Sequence, residues 1–169
     1  PSQESPMMFL TLAAALVSPQ AVQGQSSYSE AQAERDLRST ITAFGDAITN
    51  KDSAKFLSLF ADGPVTWRRV NSDARLSKSG GASAKAGFDP ANTPRVFIER
   101  IVQSPNRHEE TFSNIRIDND LDVAAITFDF TYRVNGRPIN VGKESWHLVR
   151  GERGWRIVSV IYSNNDPRD

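Results

Sequence analysis

Four consecutive stretches of strand character fill the last third of this chain, and no helical periodicity interrupts them. They run over Glu110–Ile117, Val123–Val134, Pro138–Arg150 and Trp155–Ser163. The connections are Asp118-Asn119-Asp120, Asn135-Gly136 and Gly151 to Gly154. Asn-Gly is a strong hairpin signal, because both central residues of a type I′ turn need positive φ. A meander of this length leaves apolar surface on both faces, and that surface must be covered. The cover has to come from upstream.

Upstream the pattern is helical. Leu37, Ile41, Phe44 and Ile48 recur at i, i+4, i+7 and i+11, which places them on one stripe of a long helix. Ser29 is its expected N-cap, and Asn50-Lys51-Asp52 its polar end. Asp52 or Ser53 caps a second, shorter helix with Phe56, Leu57 and Phe60 turned inward, stopped at Asp62-Gly63-Pro64. Val65 to Val70 alternates like a half-buried strand. Asn71 to Asn92, rich in Ser, Gly, Ala and Lys, reads as a long loop, either a lid over a pocket or an insertion without a role. Thr93-Pro94 then starts a third helix that runs to about Ser104 and buries Phe97, Ile98 and Ile101. The expected architecture is α+β, with three helices packed on a bent antiparallel sheet.

Composition narrows the function classes. The 169 residues suffice for one domain, and 20 basic residues balance 20 acidic ones without a basic run. Nucleic-acid binding is therefore not expected, since phosphate contacts need a basic stripe. With no cysteine there is no disulfide, thiolate metal site or cysteine nucleophile. Two histidines without metal-ligand spacing predict no metal site.

Met7 to Val17 is an apolar run of signal-peptide length, too short to span a bilayer. Ser18-Pro19-Gln20 breaks it, and Val22-Gln23-Gly24 offers small residues for cleavage, although Pro1 to Pro6 lacks Lys or Arg. The expectation is a signal peptide or disordered leader over 1–24, a single domain over 25–169, no membrane span in the mature form, and a periplasmic or secreted location.

The order of elements resembles the NTF2-like superfamily, which includes the SnoaL-like and ketosteroid-isomerase-like proteins. The matching features are the long first helix, the short helix with Phe56-Leu57-Ser58-Leu59-Phe60-Ala61-Asp62, a Trp-bearing strand, and the terminal hairpin with Trp146 and Gly154-Trp155. The resemblance implies a cone whose mouth holds a small, mostly apolar ligand, no cofactor, and a homodimer formed through the sheet face. Isomerase-type members place a base carboxylate on a strand and pair it with a helix-borne Tyr and a second acid. Here the first helix carries no Tyr at its inward positions. Fold alone does not assign a reaction.

Uninterrupted hairpin pairing sorts the candidate site residues. With Val134 opposite Arg137 and Arg150 opposite Trp155, Asp129 falls opposite Gly142, Thr127 opposite Glu144 and Trp146 opposite Ser159. One face then carries Thr127, Asp129, Glu144, Trp146, Trp155 and Ser159; the other carries Phe128, Phe130, His147 and Tyr162. A bulge would invert part of this arrangement. Asp129 interrupts the apolar run Ile126 to Phe130, where a carboxylate would have a raised pKa suited to a general base. Glu144 or His147 is its expected partner. Alternatively, Asp129 is an exposed strand residue paired with Arg133 or Lys143. Trp67, Thr127, Trp146, Trp155, Ser159 and Tyr162 are the expected ligand-binding residues, the tryptophans either walling a cavity or filling the core. Two functions follow: a domain that binds a small apolar ligand, or an isomerase or lyase that uses a strand carboxylate as base.

Overall fold

Ser29 opens the first helix as its side chain accepts the Gln32 N–H at 3.2 Å. In this computed structural model, which describes residues 28–80, 84–86 and 89–167, that helix is α1 (Glu30–Thr49). The stripe Leu37, Ile41, Phe44 and Ile48 is buried along it. Asp52 caps α2 (Ser53–Ser58), which buries Phe56. Strand β1 (Thr66–Asn71) follows, then α3 (Asp73–Lys78), then α4 (Pro94–Gln103), started by Thr93 with proline in its first turn. The meander consists of β2 (His108–Asn119), β3 (Val123–Val134), β4 (Arg137–Gly151) and β5 (Gly154–Asn164).

The α+β architecture agrees with the sequence reading, with two differences. The segment read as a loop contains α3, because the Ser72 hydroxyl accepts the Arg75 N–H and supplies an N-cap. The sheet is also mixed: its order is β1-β5-β4-β3-β2, and β1 runs parallel to β5. β5 thus lies inside the sheet, and the segment that follows α2 is tied to it by the Phe60–Ile157 bridge.

Asn135 and Gly136 both take positive φ, 52° and 78°, and form the expected tight turn between β3 and β4. Three irregularities then reset the faces. β2 shifts register between Ser113 and Arg116, with Asn114 at φ 53°; β3–β4 shifts beside Tyr132 and Arg133; β4–β5 shifts beside His147 and Leu148. Each adds one residue to one strand, which bends the sheet and exchanges inside for outside beyond it. The concave side packs on α1 around Trp146, with the Phe44 and Phe128 rings 4.8 and 5.0 Å from its ring. The corrected pairs are Asp129 with Lys143, Thr127 with Ser145, and Trp146 with Val160.

β4 passes close to β5 at Gly142. A Cβ built there would lie 2.1 Å from Ser163 Oγ and 2.9 Å from its carbonyl oxygen. Only glycine allows that approach, which lets the Lys143 N–H donate to Ser163 Oγ at 2.9 Å.

Candidate functional site

The bend leaves a cavity of about 200 Å³ between the open end of the sheet, α1 and α4. Its walls are aromatic, with Phe44, Trp67, Phe97 and Phe130, and its polar groups are Glu110, Glu144, Tyr132 and Tyr162. Arg69 and Arg75 line it as well. That volume lies below the roughly 300–1,000 Å³ of drug-sized sites and suits a compact ligand.

Two glutamates from different strands meet here. Glu144 is 4% exposed. Glu110 is part-exposed as a residue, but its carboxyl group is withdrawn from water against Glu144. The two carboxyl groups hydrogen-bond to each other, which requires one of them to hold a proton. Burial, the neighbouring Glu144 charge and this hydrogen bond push Glu110 well above the usual carboxylate range. Burial pushes Glu144 up to about 7, opposed by hydrogen bonds from Trp146 and Glu110. The two carboxyls share a single proton, and the pair titrates jointly. Trp146 Nε1–H donates to Glu144 Oε1 at 2.8 Å.

Two phenols complete the ring of polar groups. Burial is the main cause that raises the Tyr132 pKa, with the nearby Glu110 carboxyl adding to it whenever it ionises, and the Tyr132 hydroxyl lies 2.6 Å from His108 Nδ1. Burial, followed by the Lys51 charge, lowers the His108 pKa, which favours the neutral ring in this contact. Tyr162 is raised by burial, opposed by the positive charge of Arg69. Trp67 Nε1 is buried and has no hydrogen-bond partner among the described residues. An unpaired buried donor on a cavity wall is a position where a ligand acceptor would be stabilised.

Three expected site residues line the cavity: Glu144, Trp67 and Tyr162. Trp146 lies in the core behind Glu144. Trp155 is buried elsewhere, and its Nε1–H donates to the Tyr28 hydroxyl at 2.9 Å. Thr127 and His147 are exposed on the opposite side of the sheet, and Ser159 pairs with His147. Asp129 is on that outer side too, accepting from Asn114 and from Lys143, each at 2.6 Å. These two bonds hold its carboxyl below the usual range. The premise for Asp129 as base, a carboxylate in apolar surroundings, therefore fails, because the shift beside Tyr132 and Arg133 pairs it with Lys143 in place of Gly142. The same shift carries Glu144 inward, and the one beside His147 separates His147 from Tyr162.

Sequence reasoning missed Glu110, Tyr132 and Arg69. Glu110 lies in the polar run His108-Glu109-Glu110-Thr111, and the Asn119–Ala124 register continued without a bulge would set it opposite Arg133 on the outer face. The available signal was Asn114, a residue type that tolerates the left-handed conformation of a bulge.

A larger groove of about 560 Å³ lies beyond Trp67, walled by Pro64, Pro90 and Pro94. Its Asp62 is occupied by Arg153 at 2.5 Å, and among the described residues it gathers no interacting pair of titratable groups. The interacting titratable groups gather in the smaller cavity. Among the described residues no group of three or more His, Asp or Glu could hold a metal ion. None of their helices is long and apolar enough to cross a membrane.

No protein-family model matches the sequence, and neither does any curated protein. Solved structures do match in fold. An NTF2-like protein of unknown function from Pseudomonas putida aligns with a TM-score of 0.60 at 10% identity, over 83% of this chain and 96% of that one. An NTF2-like protein with a cystatin-like fold from Novosphingobium aromaticivorans aligns at 0.59 and 14% identity, over 82% and 85%. An NTF2-like superfamily protein from Salmonella enterica aligns at 0.56 and 16% identity, over 83% and 96%.

Proposed function

Starting from the NTF2-like fold that these structures share with the chain, we propose that it binds a small, mostly apolar ligand in the cone and transfers a proton on it, as an isomerase or lyase does. The observation that carries this reading is the hydrogen-bonded Glu110–Glu144 pair at the base of an aromatic cavity. A buried charge is expensive unless it serves a purpose, and a base with a pKa near 7 is matched to proton abstraction at neutral pH.

With the shared proton on Glu110, Glu144 is the ionised member and takes a proton from a carbon next to a carbonyl. The carbonyl oxygen acquires the negative charge and is met by neutral donors, the Tyr162 hydroxyl or the Trp67 N–H on the same cavity. Glu110 keeps its proton and holds Glu144 in place. The proton then returns to another atom of the ligand, or a leaving group departs, without any redox change.

The test uses 2-tetralone, a compact ketone with acidic C–H bonds, in deuterated buffer followed by NMR. The protein should bind the ketone and accelerate exchange, with the rate rising as pH approaches 7, and Glu144→Gln should bind without exchange. Binding with no exchange in the wild type reduces the reading to a ligand-binding domain. No binding rejects the cone as the site.

Two further parts of the proposal are independent of the cavity. The apolar run from Met7 to Val17 supports export to the periplasm or the medium, and it lies outside the described residues. Val123, Val149 and Ile161, exposed by 53%, 37% and 38%, support a homodimer through the sheet. Secretion of the full chain from an expressing cell and sedimentation velocity of the purified protein test them in turn.

A further inference from the structure

Inner-face residues form a row across three strands: Glu144 on β4 stands opposite Tyr162 on β5, and Tyr162 opposite Arg69 on β1. Neighbouring strands are about 4.8 Å apart, so Arg69 leaves the backbone roughly 10 Å from Glu144. It lies where the cavity opens into a second recess of about 380 Å³, which shares Arg69, Arg75 and Asn164 with it. The floor of that recess is neutral and fixed, since Asn164 Nδ2 donates to Asn71 Oδ1 at 2.8 Å in a buried pair.

The recess carries more positive than negative charge. Arg75, Lys78 and Arg69 line it against one carboxylate, Asp166. Arg75 and Lys78 both bind Asp166, and Arg75 also donates to the Ile139 carbonyl at 2.6 Å. Arg69 is different. Among the described residues it forms neither an ion pair nor a hydrogen bond, although its charge lies close enough to Tyr162 to lower that phenol's pKa. The Arg69 guanidinium at the rim, free among the described residues, matches a monoanion with two coplanar oxygens, which it can hold by two parallel bonds.

We propose that the ligand is a small carboxylic acid whose apolar body fills the cavity and whose carboxylate is received by Arg69 at the mouth. This rests on the cone being the ligand site. The geometry also orients the ligand. The carboxylate stays at Arg69, away from the negative Glu144, and the atom that loses a proton lies deep, across the width of β5. An acid that entered the other way would set like charges side by side in an apolar cavity.

Isothermal titration with 3-phenylpropanoate and its neutral counterpart 3-phenylpropanamide tests the proposal, on the wild type and on Arg69→Gln. The acid should bind the wild type at least tenfold more tightly than the amide. Arg69→Gln should erase that preference by weakening only the acid. Equal affinities in the wild type, or a preference that survives Arg69→Gln, overturns the carboxylate subsite and leaves the apolar cavity standing. Failure of both compounds to bind the wild type removes the cone as the ligand site, and this proposal with it.

Discussion

Trp146 donates its indole N–H to the carboxylate of Glu144, two positions away on the same strand and the same face, at 2.8 Å. An i, i+2 contact of this kind fixes the carboxylate from behind and leaves its other side to Glu110. Trp146→Phe keeps most of the aromatic volume and removes the donor. It should cost about 1–3 kcal/mol in urea denaturation, the usual penalty for an acceptor left unpaired in the interior. It should also move the Glu144 titration upward, because the hydrogen bond that favours its ionised form is gone. The pH at which proton exchange begins would rise in step.

The glutamate pair makes stability fall with pH across a defined window. Glu144 titrates near 7 in the fold against an ordinary value of 4.5, and Glu110 is raised as well. Both bind protons more tightly folded than unfolded. Their stabilising contribution is complete below about pH 4.5 and is lost as pH rises through the folded values. For Glu144 alone the change is of order 3 kcal/mol. Melting curves should show the wild type more stable at pH 5 than at pH 8. The doubly substituted Glu110→Gln, Glu144→Gln protein should show little difference, and a wild type with a flat profile would refute the buried pair.

Asp129→Asn serves as the contrast to Glu144→Gln. Asp129 is a surface partner of Lys143 and Asn114. Its loss should leave exchange activity and Tm within error of wild type, whereas Glu144→Gln should remove the activity. Loss of activity in Asp129→Asn, measured by the same NMR exchange, would return the base to the outer face.

Gly142→Ala tests the crossing of β4 over β5. The new methyl group would meet both the Ser163 hydroxyl and its carbonyl. The strands must separate, at a cost of about 1–3 kcal/mol typical of an overpacked site. Gly142→Ala combined with Ser163→Ala should recover only part of this, since the backbone contact remains. Denaturant midpoints of the two variants and the wild type give the comparison.

Most of the fold was legible because its signals are local. The stripe of Leu37, Ile41, Phe44 and Ile48, the caps at Ser29 and Thr93, and the Asn135-Gly136 turn each depend on a few neighbouring residues, and the structure keeps them all. The site was less legible because it depends on parity. Alternation identifies the two sets of side chains on a strand, but one inserted residue exchanges the sets beyond it, and little in a sequence marks the insertion. Ile139 on β4 is such a residue: it decides that Glu144 points in and Asp129 out. α3 was obscured by composition, since Ser72 to Lys78 resembles a polar loop until its cap is noticed. The parallel pairing of β1 with β5 joins segments too far apart for any local pattern to report.

That pairing bears on how the molecule assembles. β5 is last in sequence among the described strands, yet both β1 and β4 hydrogen-bond to it, and the segment after α2 reaches it through Phe60 and Ala61. During synthesis the helices and β1 emerge first and have no strand to join until Trp155 to Asn164 has left the ribosome. Closure of the cone is therefore a late event that links the two ends of the domain, and such distant pairings are slow to form. A chain halted before β5 would present an unpaired β1 edge and an uncovered Phe60, the kind of surface that chaperones hold.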